Sequence, residues 1–277
     1  LDYDLLNSWL DSNTELVDIK GKYQCINKLT RKPIKAIMPV HVLGNICDVV
    51  QLEKIAEKYS LEIIEDSTEA LGSFYKGKHS GTFGKIGVFS FNGNKIISTG
   101  GGGVIVTNDA ELAKRAKHLT TQAKTSAMEY IHDEVGYNYR LVNVLAAIGV
   151  AQMEQFPDIL ERKHYMEAFY RKELVGIGDI QFQYVDTDVS HNCWLFTFKT
   201  QHMRALLAYL NDNGVQSRPF WMPMNQLGMF KDLVYISEKD HSANLYDTCI
   251  SIPSSAGISQ EELETVVNTI KEFYKNI

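Results

Sequence analysis

An α/β fold is predicted by three features of the sequence. Short apolar runs of strand length alternate with stretches of helical period, and the runs end in polar turn residues. The third is size: 277 residues at 44 % hydrophobic and 22 % charged content can bury a sizeable core. Ile34 through Leu43, which includes Pro39-Val40-His41, has the continuity of a buried parallel strand. Gly44-Asn45 then turns the chain. From Asp48 to Tyr59 the apolar Val49, Leu52, Ile55 and Ala56 fall three and four apart with Lys54, Glu57 and Lys58 opposite, the pattern of a helix. Leu61 to Glu65 is a second strand, ended by Asp66-Ser67. Residues 34–65 therefore form a strand, helix, strand unit with a right-handed crossover expected.

Gly72 to Gly84 reads as irregular turns, followed by β-type runs at Ile86 to Phe91 and Val104 to Thr107. Asn108-Asp109 caps a helix through His118. The alanine-containing run from Leu141 to Phe156 predicts a buried or interface helix, and the helical period continues to Leu174 before Gly176 and Gly178 end it. A second pattern follows: strands at 180–185 and 193–199, a helix at 203–212, a short strand at 215–217, and a last helix from Ser259 to Tyr274. A boundary near Pro157 divides the chain into domains 1–157 and 158–277.

Composition removes several function classes. The 28 basic against 34 acidic residues give a net charge of −6 with no block of like charge, which excludes a nucleic-acid groove or a polybasic membrane anchor. No apolar run reaches the length of a membrane span, and the residues from Leu1 onward form neither a basic n-region nor a signal-type apolar segment. Cys25, Cys47, Cys193 and Cys249 are too scattered for a metal clip or a disulfide framework, so a reducing cytoplasm is expected. His132 and His191 lack metal-type spacing, and no metal is expected. Trp194, Phe196 and Phe198 alternate as the core face of a strand.

In α/β sheets ligands gather beyond the carboxyl ends of strands. Asp66 stands at one such end and Ser90 near another; Lys95 lies five residues further on, before the run Gly100-Gly101-Gly102-Gly103. A lysine there can condense with an aldehyde cofactor, which is how pyridoxal phosphate is held. A carboxylate such as Asp66 then keeps the pyridine nitrogen protonated, and Ser90 with the adjacent turn offers donors to the phosphate. Singly each residue is also what a helix cap, a solvated lysine or a flexible turn looks like. No GxxxxGK[ST] or GxGxxG pattern supports a nucleotide-triphosphate or dinucleotide reading.

Together these residues sit in a longer set of motifs. Pro39-Val40-His41 to Gly44 is followed by Ile64-Glu65-Asp66-Ser67-Thr68-Glu69-Ala70-Leu71-Gly72, then by Tyr75-Lys76-Gly77-Lys78. Gly81-Thr82-Phe83-Gly84 leads to Phe89-Ser90-Phe91 and Lys95; Val106-Thr107-Asn108-Asp109, Gly136-Tyr137-Asn138-Tyr139-Arg140-Leu141, Ala146-Ala147-Ile148-Gly149 and Ser217-Arg218-Pro219 come after. Over most of its length the chain resembles the DegT/DnrJ/EryC1/StrS family of nucleotide-sugar aminotransferases. The resemblance implies a fold type I pyridoxal-phosphate transferase, a mainly parallel sheet flanked by helices with a smaller α+β carboxy-terminal domain.

It also implies roles. Lys95 is the lysine that binds the cofactor aldehyde and later moves the proton, Asp66 faces the pyridine nitrogen, and Ser90 faces the phosphate. Glu69 occupies a position often held by glutamine or histidine near the ring hydroxyl, where a glutamate must be protonated or otherwise compensated to donate. Asn138 matches an asparagine that reaches the phosphate in the neighbouring subunit's site, which implies a homodimer, and Arg140 assists there. His41 and Arg218, the latter beside Trp221, are candidate substrate contacts. Glutamate is the implied amino donor and a nucleotide-linked keto-sugar the acceptor. Phe89 to Lys95 resembles the subgroup making 4-amino sugars for nonulosonic acids of the legionaminic type.

Two other readings exist: a sugar dehydratase of the same family, which carries histidine where this chain has Lys95, and a non-catalytic regulatory or binding protein. Relatives begin with a segment bearing a Ser-Gly-Thr phosphate loop and an aromatic residue stacked on the cofactor, and nothing before Ile34 matches either. The expectation is that part of the large domain is missing from these residues, which alone would be inactive and poorly soluble.

Overall fold

The computed structural model describes residues 1–126 and 128–277, and these fall into two compact units. The first comprises Leu1–Pro157 with Thr187–Asn192, the second Asp158–Asp186 with Cys193–Ile277.

The first unit opens with helix α1 (Tyr3–Asn13), whose first turn is closed by Asp2 accepting from the Leu5 N–H. Strands β1 (Thr14–Ile19) and β2 (Lys22–Asn27) follow as a hairpin, extended by β3 (Pro33–Ile34) into an antiparallel sheet. Lys20 and Gly21 at its tip both have positive φ, +55° and +80°, the twist that a two-residue hairpin loop demands. The predicted strand at 34–43 is broken. After β4 (Ala36–Ile37) the chain keeps one further bridge, Val40 to Asp66, because Pro39 has no N–H to continue a ladder; residues 42–44 then form a 3₁₀ turn.

Helix α2 (Val49–Lys58), N-capped by Asp48, leads to β5 (Glu62–Asp66), which lies parallel to β4 as expected. The supposed irregular stretch contains a small hairpin, β6 (Phe74–Tyr75) and β7 (Lys78–His79). Next, β8 (Ile86–Ser90) runs parallel to β5, and β9 (Gly103–Val106) returns antiparallel, giving a sheet of order β4-β5-β8-β9. Helix α3 (Ala110–Thr120) is capped by Asp109, and β10 (Lys124–Ser126) pairs with β11 (Ile131–His132). Helix α4 (Asn143–Glu154) ends the segment. Leu10, Cys25, Leu52, Ile55, Ala56, Tyr59, Leu61 and Ile63 form the core between α1, α2, the hairpin and β5.

α4 departs from its composition. No residue in it is buried, and Val144 and Val150 are 70 % and 60 % exposed. Leu145, Ala146, Gly149 and Gln152 are half-buried, whereas much of the remaining apolar surface of the helix is open.

Helix α5 (Phe156–Leu174) leads into the second unit, where β12 (Gln181–Phe182) forms; β13 (Val189–Ser190) belongs to the first unit and pairs with β6. The second unit continues with β14 (Phe196–Lys199), α6 (Met203–Asp212), β15 (Arg218–Pro219), α7 (His241–Thr248), β16 (Cys249–Ile252) and α8 (Gln260–Lys275). The short strand lies at 218–219, three residues beyond its predicted start, because Gly214 turns the chain and Val215 is drawn into the core. The sheet β12-β14-β16-β15 is antiparallel throughout. Tyr170, Phe196, Phe198, Leu206, Leu210, Ile250, Leu263 and Ile270 make its core with α5, α6 and α8, and Trp194 is buried too, so the aromatic alternation reads as core. No described helix is long and apolar enough to cross a membrane.

Candidate active site

The carboxyl ends of β5 and β8 deliver the chemically interesting groups. Asp66 is the last residue of β5, half-buried, and its Oδ1 accepts from the Thr68 N–H at 3.1 Å and the Thr68 hydroxyl at 2.7 Å. Among the described residues Oδ2 has no hydrogen-bond partner, so one carboxylate oxygen is anchored and the other available.

Three residues on, Glu69 approaches Lys95. Their Oε1 and Nζ atoms lie 4.0 Å apart, with side-chain exposures of only 15 % and 13 %. The other oxygen of Glu69 accepts from the Leu43 N–H at 2.7 Å. Leu43 holds a left-handed backbone, φ +58°, a costly conformation for a leucine that aims this N–H at the carboxylate. Burial pushes Glu69 up from the ordinary glutamate range; the Leu43 N–H and Lys95 pull the other way, and the Asp66 charge adds to the rise. Lys95 itself sits on the turn after β8, its N–H donating to Asn92 O at 3.0 Å. Ser90 closes β8, with its hydroxyl accepting from the Asn92 N–H at 3.2 Å.

Asn138 and Arg140 are exposed and share a hollow with Gly102, Gly103 and Leu141. Beside them Tyr137 and Tyr139 stack with ring centres 5.0 Å apart. Arg218 is exposed and belongs to the second unit.

His41 needs a correction. It is fully buried, its Nε2 bonds Glu65 Oε2 at 2.9 Å, and its Nδ1 lies 3.3 Å from the main-chain nitrogen of Cys47, so no face is left for a substrate. Burial alone would lower this imidazole; contact with Cys47 and the bond to Glu65 outweigh it and hold it up at about 9. The sequence reading also missed Thr68, Glu65 and the Leu43 N–H. Thr68 had a local signal, since a hydroxyl two residues after an aspartate is a common turn partner. Glu65 had none, because its partners lie 16 to 24 residues away.

The model of the DegT/DnrJ/EryC1/StrS aminotransferase family matches residues 8–271. The chain belongs to this family. It is 38 % identical over 252 residues to the GDP-perosamine synthase of Escherichia coli O157:H7, covering 90 % of this chain and 68 % of that protein. To the GDP-perosamine synthase of Vibrio cholerae it is 35 % identical over 265 residues, covering 94 % and 70 %. Its fold matches the crystal structure of a family aminotransferase from Brucella abortus with a TM-score of 0.86 at 22 % identity, over 99 % of this chain and 70 % of that one.

Aminotransferases of this family depend on pyridoxal phosphate. The donor set fits that group: a sheltered amine for the aldehyde, an aspartate with one oxygen available for a protonated ring nitrogen, and a hydroxyl beside a glycine-rich turn for the phosphate.

Proposed function

We propose that the chain transfers an amino group from glutamate to a keto-sugar carried on a nucleotide. Lys95 and Asp66 are its catalytic residues, and Glu69, Ser90 and Asn138 further hold the cofactor. The observation that carries this reading is the meeting of Lys95, Glu69 and Asp66 at the carboxyl end of β5, inside a chain matched by the family almost end to end.

Bound pyridoxal phosphate supplies the electron sink that lets an amino group and a proton leave and rejoin the same carbon. Lys95 Nζ would hold the cofactor at its aldehyde and, as a free amine, would take and return the proton at the substrate carbon. Asp66 Oδ2 holds the proton on the ring nitrogen. Glu69, whose pKa burial raises, would face the ring hydroxyl. Ser90 Oγ donates to the phosphate. Arg140 offers a guanidinium group of the kind that binds a nucleotide's phosphates.

The relatives' names favour a guanosine diphosphate sugar as the first acceptor to test, ahead of the sugars of nonulosonic acid synthesis that Phe89 to Lys95 resembles. The exposed apolar face of α4 supports a homodimer as the active unit, with Asn138 serving the neighbouring site.

The test adds pyridoxal phosphate to the protein and follows the visible absorbance band, then borohydride labelling and amine formation on a GDP-linked 4-keto-6-deoxy sugar. Lys95→Ala is expected to lose the band, the label and turnover together. A band that persists, with borohydride labelling another lysine, overturns the assignment.

A further inference from the structure

Beneath the site lies a second constellation that the chemistry above does not use. Glu65 is completely buried, and its carboxylate is surrounded: Oε2 accepts from His41 Nε2 at 2.9 Å and the Gly81 N–H at 2.8 Å, Oε1 from the N–H groups of Phe83 and Gly84 at 2.7 and 2.6 Å. His41 is engaged twice. Its ring holds Glu65, while its own N–H donates to the carbonyl of Asp66 at 3.1 Å; the Asp66 N–H in turn donates to Pro39 O at 2.9 Å.

Neighbouring residues of a strand project to opposite faces, so Glu65 is gripped on one side of β5 while Asp66 points to the other. Rotating the strand end to swing Asp66 would break bonds to two separate segments, 39–41 and 81–84. A fully buried ion pair is a weak source of stability compared with an apolar pair of equal volume, whereas it fixes geometry strictly because each of its bonds is directional.

We propose that His41 and Glu65 are positioning residues, a buried clasp that sets the orientation of Asp66 and through it the grip of the site on the cofactor. This inference rests on the placement of Asp66 proposed above.

A double-mutant cycle read by pyridoxal phosphate titration tests it. His41→Leu, which cannot hold Glu65, is expected to weaken cofactor affinity at least tenfold when Asp66 is present and less than twofold in an Asp66→Asn background. His41→Gln, whose amide can still donate to Glu65, is expected to stay within threefold of the parent. If His41→Leu does not fold, His41→Asn, too short to reach Glu65, takes its place in the cycle.

Amide exchange of the cofactor-free protein supplies a second readout, with faster exchange at Asp66 and Gly81 to Gly84 expected in the variant that loses the clasp. Equal losses in both Asp66 backgrounds, or unchanged affinity in His41→Leu, overturn the proposal while leaving Asp66 in place. If Asp66→Asn alone leaves affinity and absorbance unchanged, the placement of Asp66 and the clasp's role fall together.

Discussion

Glu65 in the first unit and Lys163 in the second are both almost wholly removed from solvent, yet they are accommodated differently. Glu65 receives three main-chain N–H groups and a histidine able to carry the opposite charge. Lys163 Nζ donates to two main-chain carbonyls, Trp194 O at 2.8 Å and Ser254 O. Burial drives Lys163 down to about 8, against the pull of Cys193 and Glu167. Glu65 is lowered too, which for a carboxylate favours the charge: burial alone would raise it, but His41 and the Gly84 and Gly81 N–H groups hold it below the usual carboxylate range. Dipoles tolerate a buried charge, whereas a counter-charge with full hydrogen bonding favours it. The favoured charge lies next to Asp66, and the tolerated one lies in the apolar core of the other unit.

Removing the favoured charge should have the largest effect. Glu65→Ala strands a buried imidazole and three N–H groups, and a loss of about 3–5 kcal/mol is expected in urea denaturation at pH 7. A loss below about 1 kcal/mol would erase the contrast with Lys163.

The pH dependence of stability should then have opposite signs in the two places. Lys163 has a folded value of about 8 against 10.5 in the unfolded chain, so the unfolded state binds more protons between these limits and stability rises with pH there. The rise is at most about 3 kcal/mol, converted at 1.36 kcal/mol per unit. Lys163→Met should flatten it, which denaturation midpoints at pH 7.5 and 10 against the parent would show. His41 is held at about 9 against an ordinary 6.5, so its contribution is complete below 6.5 and lost as pH climbs through 9. His41→Gln should remove that decline over the same window, again by up to about 3 kcal/mol. A parent whose stability does not fall relative to His41→Gln from pH 6.5 to 9 would show that the imidazole is buried neutral.

The smallest effect is expected at Arg31, whose partner Glu15 is likewise largely solvated. Arg31→Ala should leave the melting temperature unchanged within error, because an exposed pair contributes little.

Much of the fold was legible where local chemistry decides it. Asp48, Asp109 and Ser259 mark helix starts, and each accepts the N–H groups that a helix end leaves unpaired. The places of Asp66 at the end of β5 and Ser90 at the end of β8 were legible because strand ends are local signals. What escaped depended on distant partners. Glu65 reads as an ordinary polar strand residue until the loop at 81–84 folds over it. His41 reads as a site residue by its neighbours Pro39 and Val40, whereas its ring turns inward to meet that carboxylate. The apolar composition of α4 predicted a buried or interface helix, and none of its residues is buried within this chain: composition says that a face wants covering and not what covers it.

The chain leaves the first unit after Pro157 and comes back for Thr187–Asn192 before leaving it again. On its return Asn192 donates to Glu69 O and Leu71 O, both at 2.8 Å, and its side chain fills the space that a Cβ on Gly44 would need. The backbone of the candidate site is thus completed by a residue made 123 positions after Glu69. At a synthesis rate of about 5–20 residues per second, the segment around Glu69 waits roughly 6 to 25 s for its last support to be translated, before any transit through the ribosomal tunnel. A ribosome stalled before residue 192 would hold a first unit with its helices and parallel strands already made but with Glu69 and Leu71 still lacking the amide that bridges them.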